Sequence, residues 1–388
     1  MKIFRKLNSP VTTSIGMFDL FKGIAMVLIV LMHNRSNFPM LMIDIITKYS
    51  ESGTLKNIPF VFEKSIIAGI CISVLGAVLA SLMPAMFILS GYSVRKRPIL
   101  KNFSLEMKEL IKPYLWTTIV TVLFNIIIHF CFFRYLPGAF QESLKVLAGM
   151  LLGFSQTVQF ENIIIFANGP VWFILALFWA LGIFNILLSV VDEAKIKYYA
   201  LGLSIIGWLL SYTDFTPFCL SQGLVGVLYV YMGYYIRKNK ALTSQHSRKN
   251  LFNYTSFVII PNIILVALGM ITEMSDNVYS LGPVTYIESG LLGIGVLYVF
   301  LRINKLFNGK IANALRYLGV YSLYFMCIHT VEMIAVPWYV IAEKLINQPV
   351  LGFVILYIFR LIIIVIALKI LVKFIEIYKS HMYRSGGR

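Results

Sequence analysis

An all-α polytopic membrane protein, with about ten transmembrane helices and both termini in the cytoplasm, is the fold class that this sequence predicts, and three observations predict it. Of its 388 residues, 59% are hydrophobic and only 13% are charged, whereas soluble domains carry about a quarter charged residues. The apolar residues fall in runs of about 20, the length that crosses a bilayer as a helix. The Lys and Arg residues gather in alternate connections, 25 in one set and 7 in the other, as positive-inside sorting requires.

The apolar runs lie at roughly 18–38, 66–92, 113–133, 170–190, 198–212, 218–236, 252–270, 281–300, 317–338 and 350–375. The run at 198–212 is short for a crossing. Leu144–Phe154 is shorter still and is expected to lie in the interface or to re-enter. The first run is not a cleavable leader, because His33-Asn34-Arg35 stands where small residues would form the cleavage site. The basic connections are the residues before 18, then 93–112, 191–197, 237–251, 302–316 and the chain from Lys369 onward. Read as cytoplasmic, they leave the long segments 39–65 and 134–169 outside. The expected organisation is a cytoplasmic N-terminal segment, 1–17, a membrane domain, 18–375, and a basic cytoplasmic tail, 376–388. No connection is long enough for a soluble domain, and no repeat or low-complexity tract is visible.

The net charge of +17 would suit nucleic acid in a soluble protein. Here it marks topology, so the expected partner is the lipid bilayer and nucleic acid is not expected. Cys71, Cys131, Cys219 and Cys327 lie in or at the ends of apolar runs, without CxxC or ligand spacing. They define neither a disulfide framework nor a metal site.

Ionisable residues inside apolar runs carry most of the functional signal, because charge at that depth costs a few kcal/mol and such groups face the bundle interior. Asp19, Lys22 and His33 share one run, and helical spacing puts them, with Ile29, on a stripe about 20 Å long. Glu288 lies in the run at 281–300, His329 and Glu332 in that at 317–338, and Arg360 in that at 350–375. Asp19 and Lys22 are expected near the cytoplasmic surface, and a shared polar cavity in the outer half of the bundle is expected to hold His33 with Glu288, His329, Glu332 and Arg360. Plainer readings stand beside this one. Lys22 reaches the headgroups by snorkelling, His33 and His129 are interfacial, and Arg360 forms a structural pair with Glu288 or Glu332.

Five stretches, in order, give the chain a resemblance. Phe18-Asp19-Leu20-Phe21-Lys22-Gly23-Ile24-Ala25 through His33 resembles the first-helix signature of the acyltransferase-3 family of integral membrane O-acyltransferases: an Asp, a basic residue three on, and a His eleven beyond. Pro84 to Tyr92, ending Ser90-Gly91-Tyr92, resembles the end of that family's second helix. Lys108 with Ile111-Lys112-Pro113-Tyr114 resembles the opening of its third. Gly169-Pro170-Val171-Trp172-Phe173-Ile174 is similar to its Trp-Phe helix, and Leu318-Gly319-Val320-Tyr321-Ser322 to His329 is similar to its Gly-x-x-Ser…His helix. Most members have Arg where this chain has Lys22, and a branch resembling sugar O-acetylases has Lys. Lysine keeps the charge and loses the bidentate fork.

The resemblance implies transfer of an acyl group, usually acetyl, from cytoplasmic acyl-CoA to a hydroxyl of an extracytoplasmic or membrane-held carbohydrate or glycolipid. Acyl-CoA is then a donor substrate, no cofactor stays bound, and the expected location is a bacterial plasma membrane. Many relatives append an extracellular esterase-like domain, and this chain is expected to act without one. His33 is the candidate general base or acyl-accepting nucleophile, His329 the second candidate as acid or oxyanion stabiliser, Glu332 the group that orients its imidazole, and Asp19 a further member of the catalytic set. Lys22, Arg95, Lys96, Arg97, Lys108 and Lys112 supply positive charge for the CoA phosphates. Ser90, Tyr92 and Trp172 are candidates for the substrate path, with Glu288 and Arg360. A transporter or flippase for an envelope glycan or small molecule is the alternative, although it should show repeats or paired broken helices. A structural or regulatory envelope protein would show no turnover.

Overall fold

The computed structural model describes residues 14–38, 64–161, 163–213, 215–242, 244–270, 272–345 and 347–385. Among them, eight helices are long and apolar enough to cross a membrane, and a ninth span results if one bent pair counts as a single crossing. Nearly all of the segment 39–65, expected outside, lies beyond the described residues, as does most of 1–17.

In chain order the helices are α1 (Ser14–Asn34), α2 (Lys64–Ser93), α3 (Ile99–Phe133) and α4 (Leu136–Leu152). There follow α5 (Trp172–Val190), α6 (Ile196–Leu210), α7 (Leu220–Lys238) and α8, which runs through Ser244–Tyr254, a π turn at Thr255–Ile259, and Ile260–Ala267. The last five are α9 (Val284–Leu306), α10 (Lys310–Val320), α11 (Ser322–Ala335), α12 (Trp338–Glu343) and α13 (Pro349–Ser385). Two short antiparallel hairpins interrupt them, β1 (Val158–Phe160) with β2 (Ile163–Ile165) and β3 (Thr272–Glu273) with β4 (Val278–Tyr279).

Four elements differ from the sequence reading. The run at 317–338 is not one straight crossing: α10 and α11 meet at Tyr321 with a bend of 80°. The run Leu144–Phe154, expected in the interface or re-entrant, belongs to a longer element: up to Leu152 it is the second half of a 17-residue helix, α4. Its start is set by Arg134, whose left-handed conformation (φ 56°) ends α3, and by a proline in the first turn of α4. The basic connection 93–112 is helical from Ile99 and runs into α3 through a π turn at Met107–Ile111. Finally, α13 continues to Ser385, well past 375. The run at 198–212 appears as α6, 15 residues long.

The centre of the bundle is made by α5, α7 and α9, which bury most of their length, while α3, α8 and α13 leave apolar faces outward, as lipid-facing helices do. Close crossings use glycine, as helix interfaces in membranes generally do. A Cβ on Gly91 of α2 would lie 2.1 Å from the Val230 carbonyl oxygen of α7, and one on Gly233 of α7 would lie 1.9 Å from the Ile88 carbonyl oxygen of α2. The same device joins α1 to α10. A Cβ on Gly23 would lie 1.8 Å from the Leu315 carbonyl oxygen, and one on Gly319 equally close to the Asp19 carbonyl oxygen.

The obstructing atoms are backbone, so no rotamer change relieves them. Gly23→Ala and Gly319→Ala are each expected to destabilise by about 1–3 kcal/mol, the usual cost of overpacking. Thermal unfolding of the purified variants checks this, and a transition unchanged from wild type would contradict the crossing.

Candidate active site

Four polar side chains predicted from the sequence meet at one end of α1. His33 lies one residue before the C-terminus of that helix, and its Nδ1 is 3.0 Å from the Ile29 carbonyl oxygen and 3.1 Å from Nε2 of His329. His329 Nδ1 is 2.7 Å from Glu332 Oε1, three residues on along α11. Arg360 of α13 closes the chain from behind, donating from Nη2 to Glu332 Oε1 at 2.9 Å and from Nε to Glu332 Oε2 at 3.2 Å. This bidentate geometry is the strong form of the pair. It settles the alternative left open by the sequence: Arg360 pairs with Glu332 and not with Glu288.

The hydrogen bonds assign the ring tautomers. The Ile29 carbonyl accepts only, so His33 Nδ1 carries the proton. His329 Nε2 then accepts from His33, and His329 Nδ1–H donates to the Glu332 carboxylate. Among the described residues no partner bonds the remaining nitrogen, His33 Nε2, so its lone pair is free. His329, Glu332 and Arg360 are 1%, 5% and 0% exposed, whereas the His33 ring is only partly buried and borders two cavities.

Three further groups that sequence reasoning did not single out hold this chain. Asn34 is fully buried, accepts from Arg360 Nη1 at 3.4 Å and donates to the Phe353 carbonyl at 3.0 Å. Trp338 donates its indole N–H to the Glu332 carbonyl oxygen at 2.9 Å, and its ring lies 5.4 Å from the Arg360 guanidinium, within cation–π range. Asn125 of α3 donates to the Ile334 carbonyl at 3.1 Å and accepts from Ser143 of α4 at 2.6 Å, fixing α11 against two neighbours. Asn34 was signalled by its place beside His33. The other two had no signal, because a lone Asn or Trp in an apolar run is ordinary.

The larger cavity, about 620 Å³, has His33, His129, Tyr135, Glu142, Trp338 and Tyr339 among its lining. His129, read from sequence as interfacial, therefore faces this space. The second cavity, about 380 Å³, also reaches His33 and includes Trp172, Arg35, Glu273 and Asp276. Arg35 approaches Glu273 at 3.7 Å. Glu273 holds its proton above the usual carboxylate range, because burial and the Asp276 charge outweigh Arg35. Burial raises Asp276 likewise.

The remaining predicted residues lie apart from this centre. Asp19 and Lys22 pair with each other at 3.2 Å, about 21 Å and about 16 Å along α1 from His33. Arg95, Lys96, Lys108 and Lys112 are exposed, and the Arg97 backbone is held by the Asn185 amide at 3.2 Å in both directions. Ser90 returns its hydroxyl to the Met86 carbonyl at 2.9 Å, and the Tyr92 ring packs edge-on against Phe18. Glu288 borders a small space with Asn262, Ser280 and Ser289.

A bundle of apolar helices enclosing a histidine–carboxylate–guanidinium chain beside two cavities defines a multi-pass membrane protein with a buried polar centre. The profile of the acyltransferase-3 family, described as an acyltransferase domain, matches residues 15–369, and the chain belongs to that family. It is thus a membrane acyltransferase. No curated protein and no solved structure matches it.

Proposed function

We propose that this acyltransferase moves an acyl group, acetyl in the simplest case, from cytoplasmic acyl-CoA to a hydroxyl of an extracytoplasmic or membrane-associated carbohydrate, with His33 as general base. The placement of the His33 ring, next to two cavities and bonded through Nδ1 to the His329–Glu332–Arg360 chain, is the observation that carries this reading. A reaction of two substrates at one base needs space on two sides of it, and His33 has both.

In this mechanism Nε2 takes the proton of the acceptor hydroxyl as its oxygen attacks the thioester carbonyl carbon. The tetrahedral intermediate collapses with cleavage of the C–S bond, and the Nε2 proton passes to the departing thiolate, giving the ester and free CoA. His329 and Glu332 are positioning residues here. They hold the His33 ring in the Nδ1–H tautomer and stabilise its positive charge while the proton is on Nε2. Arg360 holds the Glu332 carboxyl in place through two hydrogen bonds, and such pairing is what makes a buried carboxylate tolerable.

The donor geometry requires the Lys22 end of α1 to face the cytoplasm. The loop charges support that orientation, and it puts both termini inside. A C-terminal reporter active only in the cytoplasm is expected to score, whereas an extracytoplasmic C-terminus would invert the path for CoA and remove this donor assignment.

Lys22 carries a second test. Its distance from His33 matches an extended pantetheine arm whose phosphates are held near the basic end of the bundle. Lys22→Ala is expected to weaken acyl-CoA binding about tenfold, and Lys22→Arg to retain most of it because the charge is kept. Equal donor affinity in Lys22→Ala and wild type would leave snorkelling as the role of this residue.

A further inference from the structure

The 380 Å³ cavity is graded in polarity. Its polar lining, Arg35, Ser155, Thr272, Glu273, Ser275 and Asp276, comes from the turn after α1, the connection after α4 and the β3–β4 hairpin. Its apolar lining, Ile29, Leu79, Leu82, Met83 and Met326, comes from within α1, α2 and α11. Ile29 is one helical turn from His33 on the Lys22 side, so the apolar floor lies on the side from which the donor arrives. The site base stands between floor and mouth.

An acetyl group has three non-hydrogen atoms, while about 380 Å³ is many times the roughly 10–15 Å³ of such space that a single water needs. The wall is also unusually soft. Met32, Met83, Met274, Met326 and Met333 all line it, and unbranched thioether chains repack around apolar ligands of varied length. A site built to hold acetyl alone needs neither this volume nor this adaptability.

We propose that the apolar floor, with Met83 and Met326 at its base, receives the acyl chain of the donor thioester, so that the protein accepts acyl groups longer than acetyl. The proposal rests on the acyl-CoA reading above and adds the specificity of its donor. Met83 and Met326 set the depth of the floor, and neither takes part in proton transfer.

The test is equilibrium binding of CoA, acetyl-CoA, butyryl-CoA and hexanoyl-CoA to the purified full-length protein in nanodiscs, with empty nanodiscs as the blank. Affinity is expected to rise with chain length by up to about fourfold per methylene, which corresponds to about 0.8 kcal/mol. Met83→Phe is expected to erase the gain for hexanoyl-CoA while acetyl-CoA binds as in wild type. Met83→Ala is expected to increase the preference for the longer chain, which keeps the test intact if the larger side chain prevents folding. Equal affinity for acetyl- and hexanoyl-CoA, or a length dependence that Met83→Ala leaves unchanged, overturns the proposal and assigns the floor to the acceptor. Binding of none of the four removes the acyl-CoA donor reading itself, an outcome distinct from length-independent binding.

Discussion

His33→Ala is expected to lower acyl transfer by about 10²–10⁴-fold, the range for loss of a positioned general base, while folded yield and donor affinity stay near wild type. The expectation of a folded variant follows from the geometry. His33 is only partly buried, and its Nδ1 bonds are to a carbonyl already inside helix α1 and to a histidine that retains Glu332. Removing the ring leaves no buried charge unpaired. The readout is the turnover of acyl-CoA by purified protein, beside its thermal transition and its binding of the donor. Near-normal turnover at matched stability would take His33 out of the mechanism.

Glu332→Ala is expected to have the largest effect on stability, about 3–5 kcal/mol, because it leaves the Arg360 guanidinium buried without its carboxylate. Arg360 is 0% exposed and its Nε and Nη2 bonds both go to Glu332, which leaves the Asn34 amide and the Trp338 ring, neither of them charged, as its further partners among the described residues. Glu332→Gln separates structure from chemistry. The amide keeps the shape and one acceptor, so more of the fold should survive, but it removes the negative charge that favours the His329 Nδ1–H tautomer and a protonated His33. Activity should therefore fall further than stability. Thermal unfolding and turnover of the two variants check this, and a Glu332→Gln protein with full activity would contradict the role given to the chain.

Much of the site was legible because ionisable residues in apolar runs are costly and few. Asp19, Lys22 and His33 stood out by that argument alone, as did Glu332 and Arg360. The choice between Glu288 and Glu332 as partner for Arg360 was not legible, since it depends on which helices are neighbours, and α11 and α13 are in contact. Hydropathy reads length and composition, so it recognised the run at 317–338 and missed its bend of 80° at Tyr321. No proline marks that bend. The Gly319 contact with the backbone of α1 accompanies it, and such a contact is invisible until both helices are placed. A polar cavity beside these groups was expected, but its division in two was out of reach, because the second cavity combines helix interiors with the β3–β4 hairpin, a segment with little hydropathy signal.

The bend also has a functional consequence. It lets α10 lie against α1 beside Asp19 while α11 carries His329 and Glu332 to the opposite end of the same helix. One chain segment thus contacts both polar ends of α1, which the proposed mechanism uses for the donor phosphates and for the reacting carbonyl.

Mass spectrometry of cell-surface carbohydrates tests the central claim most directly, using cells without the gene, cells with the wild-type gene and cells with His33→Ala at matched membrane abundance. The account predicts an acyl mass increment on a carbohydrate hydroxyl with the wild type alone. The same increment with His33→Ala, or no increment in any acylated carbohydrate with the wild type, would contradict it.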